Sequence, residues 1–138
     1  MADDVRVTVE DIAGRPHASS GSPWEPVVGY CRAVRSGNLI SVSGTVGINA
    51  DRSYPPTAGE QARRALAIIR AAVEALGGKL EHVVRTRMFV TDIAHFAEVG
   101  RAHGEVFGAV RPATSMVEVS RLVDEAAVVE IEADAIVS

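Results

Sequence analysis

The segment Val129-Glu130-Ile131-Glu132-Ala133-Asp134 alternates apolar and acidic residues. As a strand it puts Val129, Ile131, Ala133, Ala135 and Val137 on one face and Glu130, Glu132 and Asp134 on the other. Carboxylates side by side repel, so such a row needs water, a cation or a basic partner. Two readings stay open. The row is either a solvated or interface face neutralised by arginines such as Arg85 and Arg87, or one carboxylate is a general base that positions a water. A metal site fits poorly, because no histidine pair stands at ligand spacing. Nothing in the sequence calls for a cofactor.

Ser43, in Val42-Ser43-Gly44-Thr45, closes a β-like run at a glycine, where backbone amides and a hydroxyl can face a ligand. Capping a turn is the plainer reading, and the G-x-S-x-G pattern of a nucleophile elbow is absent. His103 falls on the apolar side of a helical repeat, which suits a packed histidine better than a base. Cys31 has only Arg32 nearby to lower its pKa, so a nucleophilic role is disfavoured. Trp24, between Pro23 and Pro26, is expected to tuck against its own domain.

The elements that must position these groups follow from periodicity. Val5–Glu10 alternates as a short half-buried strand, and Ala13–Pro26, rich in Gly and Pro, reads as a long loop. Two β-rich runs, Cys31–Arg35 and Leu39–Ser43, flank a Ser36-Gly37-Asn38 turn. Thr57 to Glu60 fits a capping box, with Glu60 reaching back to the Thr57 amide. The helix it opens carries Ala62, Ala65, Leu66, Ile69, Val73 and Leu76 at helical spacing and stops at Gly77-Gly78. A strand at His82–Thr91 precedes a helix capped by Asp92, with Ile93, Phe96, Val99, His103 and Phe107 on one face. Two last strands, Thr114–Leu122 and Ala127–Val137, follow. Paired as a hairpin, they would bring Glu118 close to the acidic row. This order predicts an α+β domain, a mixed sheet with both helices on one face.

The 138 residues suit one domain spanning 1–138, and 47% hydrophobic content supplies a core. Only 4% are aromatic, so Ala, Val, Ile and Leu must fill that core, and small domains of this kind often extend it across a subunit interface. A net charge of −4 with scattered Lys and Arg argues against nucleic acid. The lone cysteine suits a reducing compartment. Met1-Ala2-Asp3-Asp4 carries no basic, apolar leader, and no run approaches the ~20 apolar residues of a membrane span. A cytoplasmic protein is expected.

Five ordered runs resemble the RidA (YjgF) family from about Gly29 onward. They are Gly37–Gly44, the helix beginning Gln61-Ala62-Arg63, Val84–Asp92, Arg111–Val119 and Val129–Ala133. The resemblance implies a chorismate-mutase-like fold and a homotrimer with small-molecule pockets between subunits. Deaminases of this family hydrolyse enamines and imines such as 2-aminoacrylate to 2-keto acids and ammonia. An arginine grips the substrate carboxylate, a glutamate orients water, and a tyrosine and a serine line the pocket. The family motifs place these last three at Glu130, Tyr30 and Ser43, with Gly44 beside the serine.

The arginine's position is Thr114, in Pro112-Ala113-Thr114-Ser115. A cysteine usual two residues on is Met116, and an asparagine near the second helix is Gly100. A hydroxyl cannot replace a bidentate, charge-assisted grip. Arg87 and Arg111 are the candidate substitute cations. The expectation is a diverged hydrolase, weak on 2-imino acids. A non-catalytic binding or protein-stabilising trimer is the alternative. An endoribonuclease or translation inhibitor, names also attached to the family, is the third reading, against which the acidic balance counts.

Overall fold

The computed structural model describes residues 4–138; Met1 to Asp3, read above for a targeting signal, lie outside the described residues. Seven strands form one mixed sheet in the order β1-β2-β3-β4-β7-β5-β6. The strands are β1 (Thr8–Ile12), β2 (Arg15–Ser19), β3 (Ala33–Ser36), β4 (Leu39–Val46), β5 (Val83–Val90), β6 (Ala113–Glu118) and β7 (Val129–Ile136). Helices α2 (Ala58–Ala75) and α3 (Phe96–Phe107) pack together on one face, and a short α1 (Trp24–Val28) follows β2. This is the expected α+β class. No helix among the described residues is long and apolar enough to cross a membrane.

The core lies between that face and the helices. Ile40, Val42, Val129, Ile131, Ala133 and Ala135 from the central strands meet Ala62, Leu66, Ile69 and Val73 of α2 and Val99, Ala102 and Phe107 of α3. Thr57 caps α2 by accepting from the Glu60 amide at 3.1 Å. The reverse half of the expected capping box is absent, since Thr57 Oγ1 lies 3.2 Å from the Glu60 carboxylate instead. Gly77, with φ 86°, ends the helix, and the Gly78 amide closes back on the Val73 carbonyl at 2.9 Å.

Four expectations need correction. The first strand lies at Thr8–Ile12 and is exposed throughout, not half-buried at Val5–Glu10. The expected loop from Ala13 holds β2 and α1, because Ala13 and Gly14 both adopt left-handed φ (53° and 81°) and make a tight hairpin turn between Ile12 and Arg15. Asp92 caps a separate 3₁₀ turn, Ile93–His95, so Ile93 and Phe96 are exposed and the buried side of α3 begins at Val99.

The largest difference concerns β6. It runs parallel to β5, with Thr86 opposite Thr114, while β5 lies antiparallel to β7. The expected hairpin with β7 is therefore not formed, because α3 makes a crossover that carries the chain to the outer side of β5. Glu118 leaves the acidic row and accepts from the Ile93 amide at 2.9 Å.

Candidate functional site

The acidic row lies on the helix-free face, as its parity requires. Arg87 spans part of it, at 3.2 Å from Glu132 and 3.3 Å from Asp134, and Ser41 donates to Asp134 at 2.8 Å. Arg85 turns instead to Ser115. The neutralised-face reading thus holds for Glu132 and Asp134. Glu130 stands apart from these bonds.

What separates Glu130 is a β-bulge. Val42 pairs with Ala133 and Thr45 with Ile131, so Ser43 and Gly44 together face Glu132. The extra residue breaks the ladder and re-aims the strand. Glu130 then folds over Gly44: a Cβ there would lie 2.9 Å from the Glu130 carboxyl carbon and closer still to Oε2. Only glycine leaves that space. We expect Gly44→Ala to displace the Glu130 side chain while leaving the fold intact, read as a shift of the Glu130 carboxyl resonance with a melting temperature changed by only a few degrees.

Glu130, Gly44, Ser43 and Tyr30 line one cleft of about 890 Å³, together with Trp24, Arg32, Thr45, Tyr54, Asp124 and Glu132. Ser43 Oγ donates to the Cys31 carbonyl at 2.7 Å, so it offers a ligand lone pairs and no proton. Arg32 approaches the Tyr30 hydroxyl at 3.4 Å and sits 5.5 Å from the ring centre, leaving the phenolic proton free to donate. Burial pushes the Glu130 carboxyl up, nearby Arg32 draws it down, and Glu132 raises it again; the net displacement is upward. The Tyr54 phenol is pushed up to about 12, first by burial and then by Asp124.

Arg32 is the residue that sequence reasoning passed over. It is 6% exposed and donates to Gly44 O at 2.6 Å, Thr45 Oγ1 at 3.1 Å and Ser20 Oγ at 3.2 Å. Glu25, also buried, lies 4.0 Å away and accepts from Ser19 and Ser20. The bulge is therefore held by a guanidinium whose Nε and Nη1 donors are engaged and whose Nη2 faces Tyr30 and Glu25. A charge inside the apolar run Cys31–Val34 was the available signal, since buried charges are rare unless paired. Trp24 is 53% exposed on the cleft wall and does not tuck into the core, which corrects that expectation.

Thr114, Met116 and Gly100 do not line this cleft, nor do Arg87 and Arg111. Thr114 and Met116 share the helix side of the sheet: Thr86 donates to Thr114 at 2.7 Å, and Met116 packs against the core. Gly100 lies on α3 one turn before His103, with open space where a side chain would stand. Within one chain, the candidate residues thus form two groups on opposite faces of the sheet.

His103 is buried beside Phe107, with ring centres 4.8 Å apart, and Nε2 lies 2.8 Å from Thr86 Oγ1. Burial lowers its pKa from the ordinary 6.5. A depressed folded pKa gives stability that is complete above the unfolded value and lost as pH falls through the folded one. Acid melting curves below about pH 6.5 should therefore flatten in His103→Gln, the ring's contribution to the slope being removed.

The model of the family described as Endoribonuclease L-PSP matches residues 21–137. The chain is 38% identical over 111 residues to the Escherichia coli 2-iminobutanoate/2-iminopropanoate deaminase, covering 78% of this chain and 86% of that one. It is 36% identical over 117 residues to an uncharacterized Streptomyces coelicolor protein, covering 84% and 87%. A Mycobacterium tuberculosis crystal structure of the YjgF/YER057c/UK114 family superposes with a TM-score of 0.83 at 47% identity, covering 89% and 99%. A Thermotoga maritima structure titled a putative endoribonuclease gives 0.77 at 32% identity, covering 87% and 91%. The ordered motifs, the fold and these likenesses agree: the chain belongs to the RidA (YjgF) family, whose members include imine deaminases.

Proposed function

We propose that this protein is a hydrolytic deaminase of enamine- or imine-type metabolites that lack a free carboxylate, acting in a homotrimer whose pockets lie between subunits. The observation that carries this reading is Glu130, half-buried over Gly44 with its proton affinity raised, beside a free Tyr30 proton and a Ser43 oxygen. Such a carboxylate can take a proton from water as the water adds to the imine carbon. The proton then passes to nitrogen, the C–N bond breaks, and ammonia and a carbonyl compound leave. Tyr30 donates to the substrate, and Ser43 and Gly44 shape the wall behind Glu130.

A pocket shared between subunits is supported by where the second group sits. Thr114, Met116 and Gly100 face away from Glu130 across the sheet, so they reach a substrate only when another copy presents them. Exposed Val117 on β6 and exposed Trp24, Val27 and Val28 around the cleft are apolar surfaces of the sort a subunit contact covers. Arg32 offers no substitute grip for a carboxylate, being tied to Gly44, Thr45, Ser20 and Glu25. The chain's net charge of −4, with no clustered Lys and Arg, also counts against an RNA substrate. The lone thiol of Cys31 is in keeping with a reducing compartment such as the cytoplasm.

The test is ammonia release from transient 2-aminoacrylate and from uncharged imines, for wild type and Glu130→Ala, with sedimentation for assembly. Turnover of uncharged imines that disappears in Glu130→Ala is expected. No turnover of any imine would turn the reading to a binding protein, and a stable monomer at micromolar concentration would remove the shared pocket.

A further inference from the structure

Three polar side chains form a continuous chain through the helix side of the sheet. His103 lies 2.8 Å from Thr86, and Thr86 donates to Thr114 at 2.7 Å. Thr86 is fully buried in the middle of β5, His103 is 9% exposed, and Thr114 is exposed on the edge strand β6. A threonine hydroxyl has one proton. If Thr86 spends it on Thr114, the proton between Thr86 and the imidazole must come from Nε2, which fixes the His103 tautomer. Thr114, exposed and already accepting from Thr86, has its own proton left and can turn it to an acceptor outside the chain. Hydrogen bonds in such a series polarise one another, so this outward donor is stronger than that of an isolated threonine.

We infer that the His103–Thr86–Thr114 chain is a specificity device, which presents an uncharged, oriented donor and selects substrates whose anchoring group is a neutral acceptor such as an amide or ester carbonyl. Thr114 touches the ligand, and Thr86 and His103 are positioning residues. The inference rests on the proposed deaminase reading, whose substrate it narrows to imines carrying an adjacent amide or ester carbonyl in place of a carboxylate. Their hydrolysis balances simply: the imine and one water give the α-keto amide or ester and one ammonia. Among the described residues, the arginines next to it in the sheet turn elsewhere: Arg85, a neighbour on β5, bonds Ser115, and Arg111, before β6, turns back on the Gly108 carbonyl. A carboxylate would thus give up its hydration for a single neutral hydrogen bond, whereas an amide oxygen gives up far less.

The experiment compares pyruvamide and pyruvate, unreactive ketone analogues of the two substrate classes, by ligand-observed NMR titration, alongside ammonia release from 2-iminopropanamide. Wild type is expected to bind pyruvamide at least tenfold more tightly than pyruvate. Thr86→Val, which keeps shape and cuts the chain, and His103→Phe should weaken pyruvamide about two- to threefold, the part of the Thr114 bond that orientation and polarisation by the chain supply. His103→Gln, which restores an N–H near Thr86, should recover most of that loss. In turnover the same variants should raise KM and leave kcat within about twofold, a split that general loss of packing does not produce.

Tighter binding of pyruvate, absence of binding by both, or equal effects of His103→Phe and His103→Gln would overturn the inference. Selective, chain-dependent pyruvamide binding without ammonia release would uphold it and overturn only the deaminase reading.

Discussion

Replacing Glu130 by glutamine should cut ammonia release by orders of magnitude and, at neutral pH, make the protein harder to melt. The two effects have one cause. The carboxylate is held over Gly44 in a half-buried position, where lost hydration outweighs the attraction of Arg32 and where Glu132 adds repulsion. Folding raises its pKa above the ordinary 4.5, so the folded state favours the protonated form. That contribution is complete below the unfolded pKa and is lost as pH rises through the folded one. At pH 7 the ionised group weighs against folding, and glutamine, of the same shape, relieves it.

The gain in melting temperature should therefore be largest near neutrality and vanish near pH 4. Turnover should fall about 10²–10⁴-fold, the usual worth of a positioned general base. A lower melting temperature at pH 7 would mean that attraction to Arg32 prevails over burial. Unchanged turnover would remove Glu130 from the chemistry.

Thr114→Arg should do the opposite kind of thing and create an activity. Thr114 is exposed on β6, so an arginine side chain has room, and Thr86 keeps His103 as a partner when the hydroxyl is withdrawn. A guanidinium at this position would supply the bidentate grip that a carboxylate requires. Taking the lower end of what such a pair contributes, ~2 kcal/mol, kcat/KM for 2-iminopropanoate should rise roughly 30-fold or more. Turnover of the neutral imine should fall in the same variant, since the oriented hydroxyl donor is gone. Progress curves with both substrates in one preparation decide it. Prompt use of 2-iminopropanoate by wild type would mean that another cleft cation, such as Arg52, already provides the grip.

Family and fold class were legible because they rest on local patterns. The alternation from Val129 to Asp134 assigned Glu130 to the face it occupies, the repeat from Ala62 to Leu76 assigned α2, and the motif order carried the family. What escaped was whatever depends on pairing between distant segments. The sequence shows Thr114–Leu122 next to Ala127–Val137, and neighbours in sequence usually pair. Only the crossover through α3 reveals that β5 lies between them, removing Glu118 from the acidic row.

The same holds at the site itself. Gly44 and Ser43 were visible, but the bulge that makes Gly44 the seat of Glu130 exists only against β7. Arg32 had no motif to mark it; its place is set by Ser20, Glu25 and the Gly44-Thr45 pair, from three separate segments. By itself, then, the sequence determined the periodic elements, the acidic face and the presence of Tyr30, Ser43, Glu130 and Thr114. These follow from side-chain type and spacing along one chain. The tertiary structure alone decided that Glu130 is desolvated, that Arg32 is already engaged, and that Thr114 stands on the opposite face at the end of a hydrogen-bonded chain, because burial and register arise only when remote strands meet.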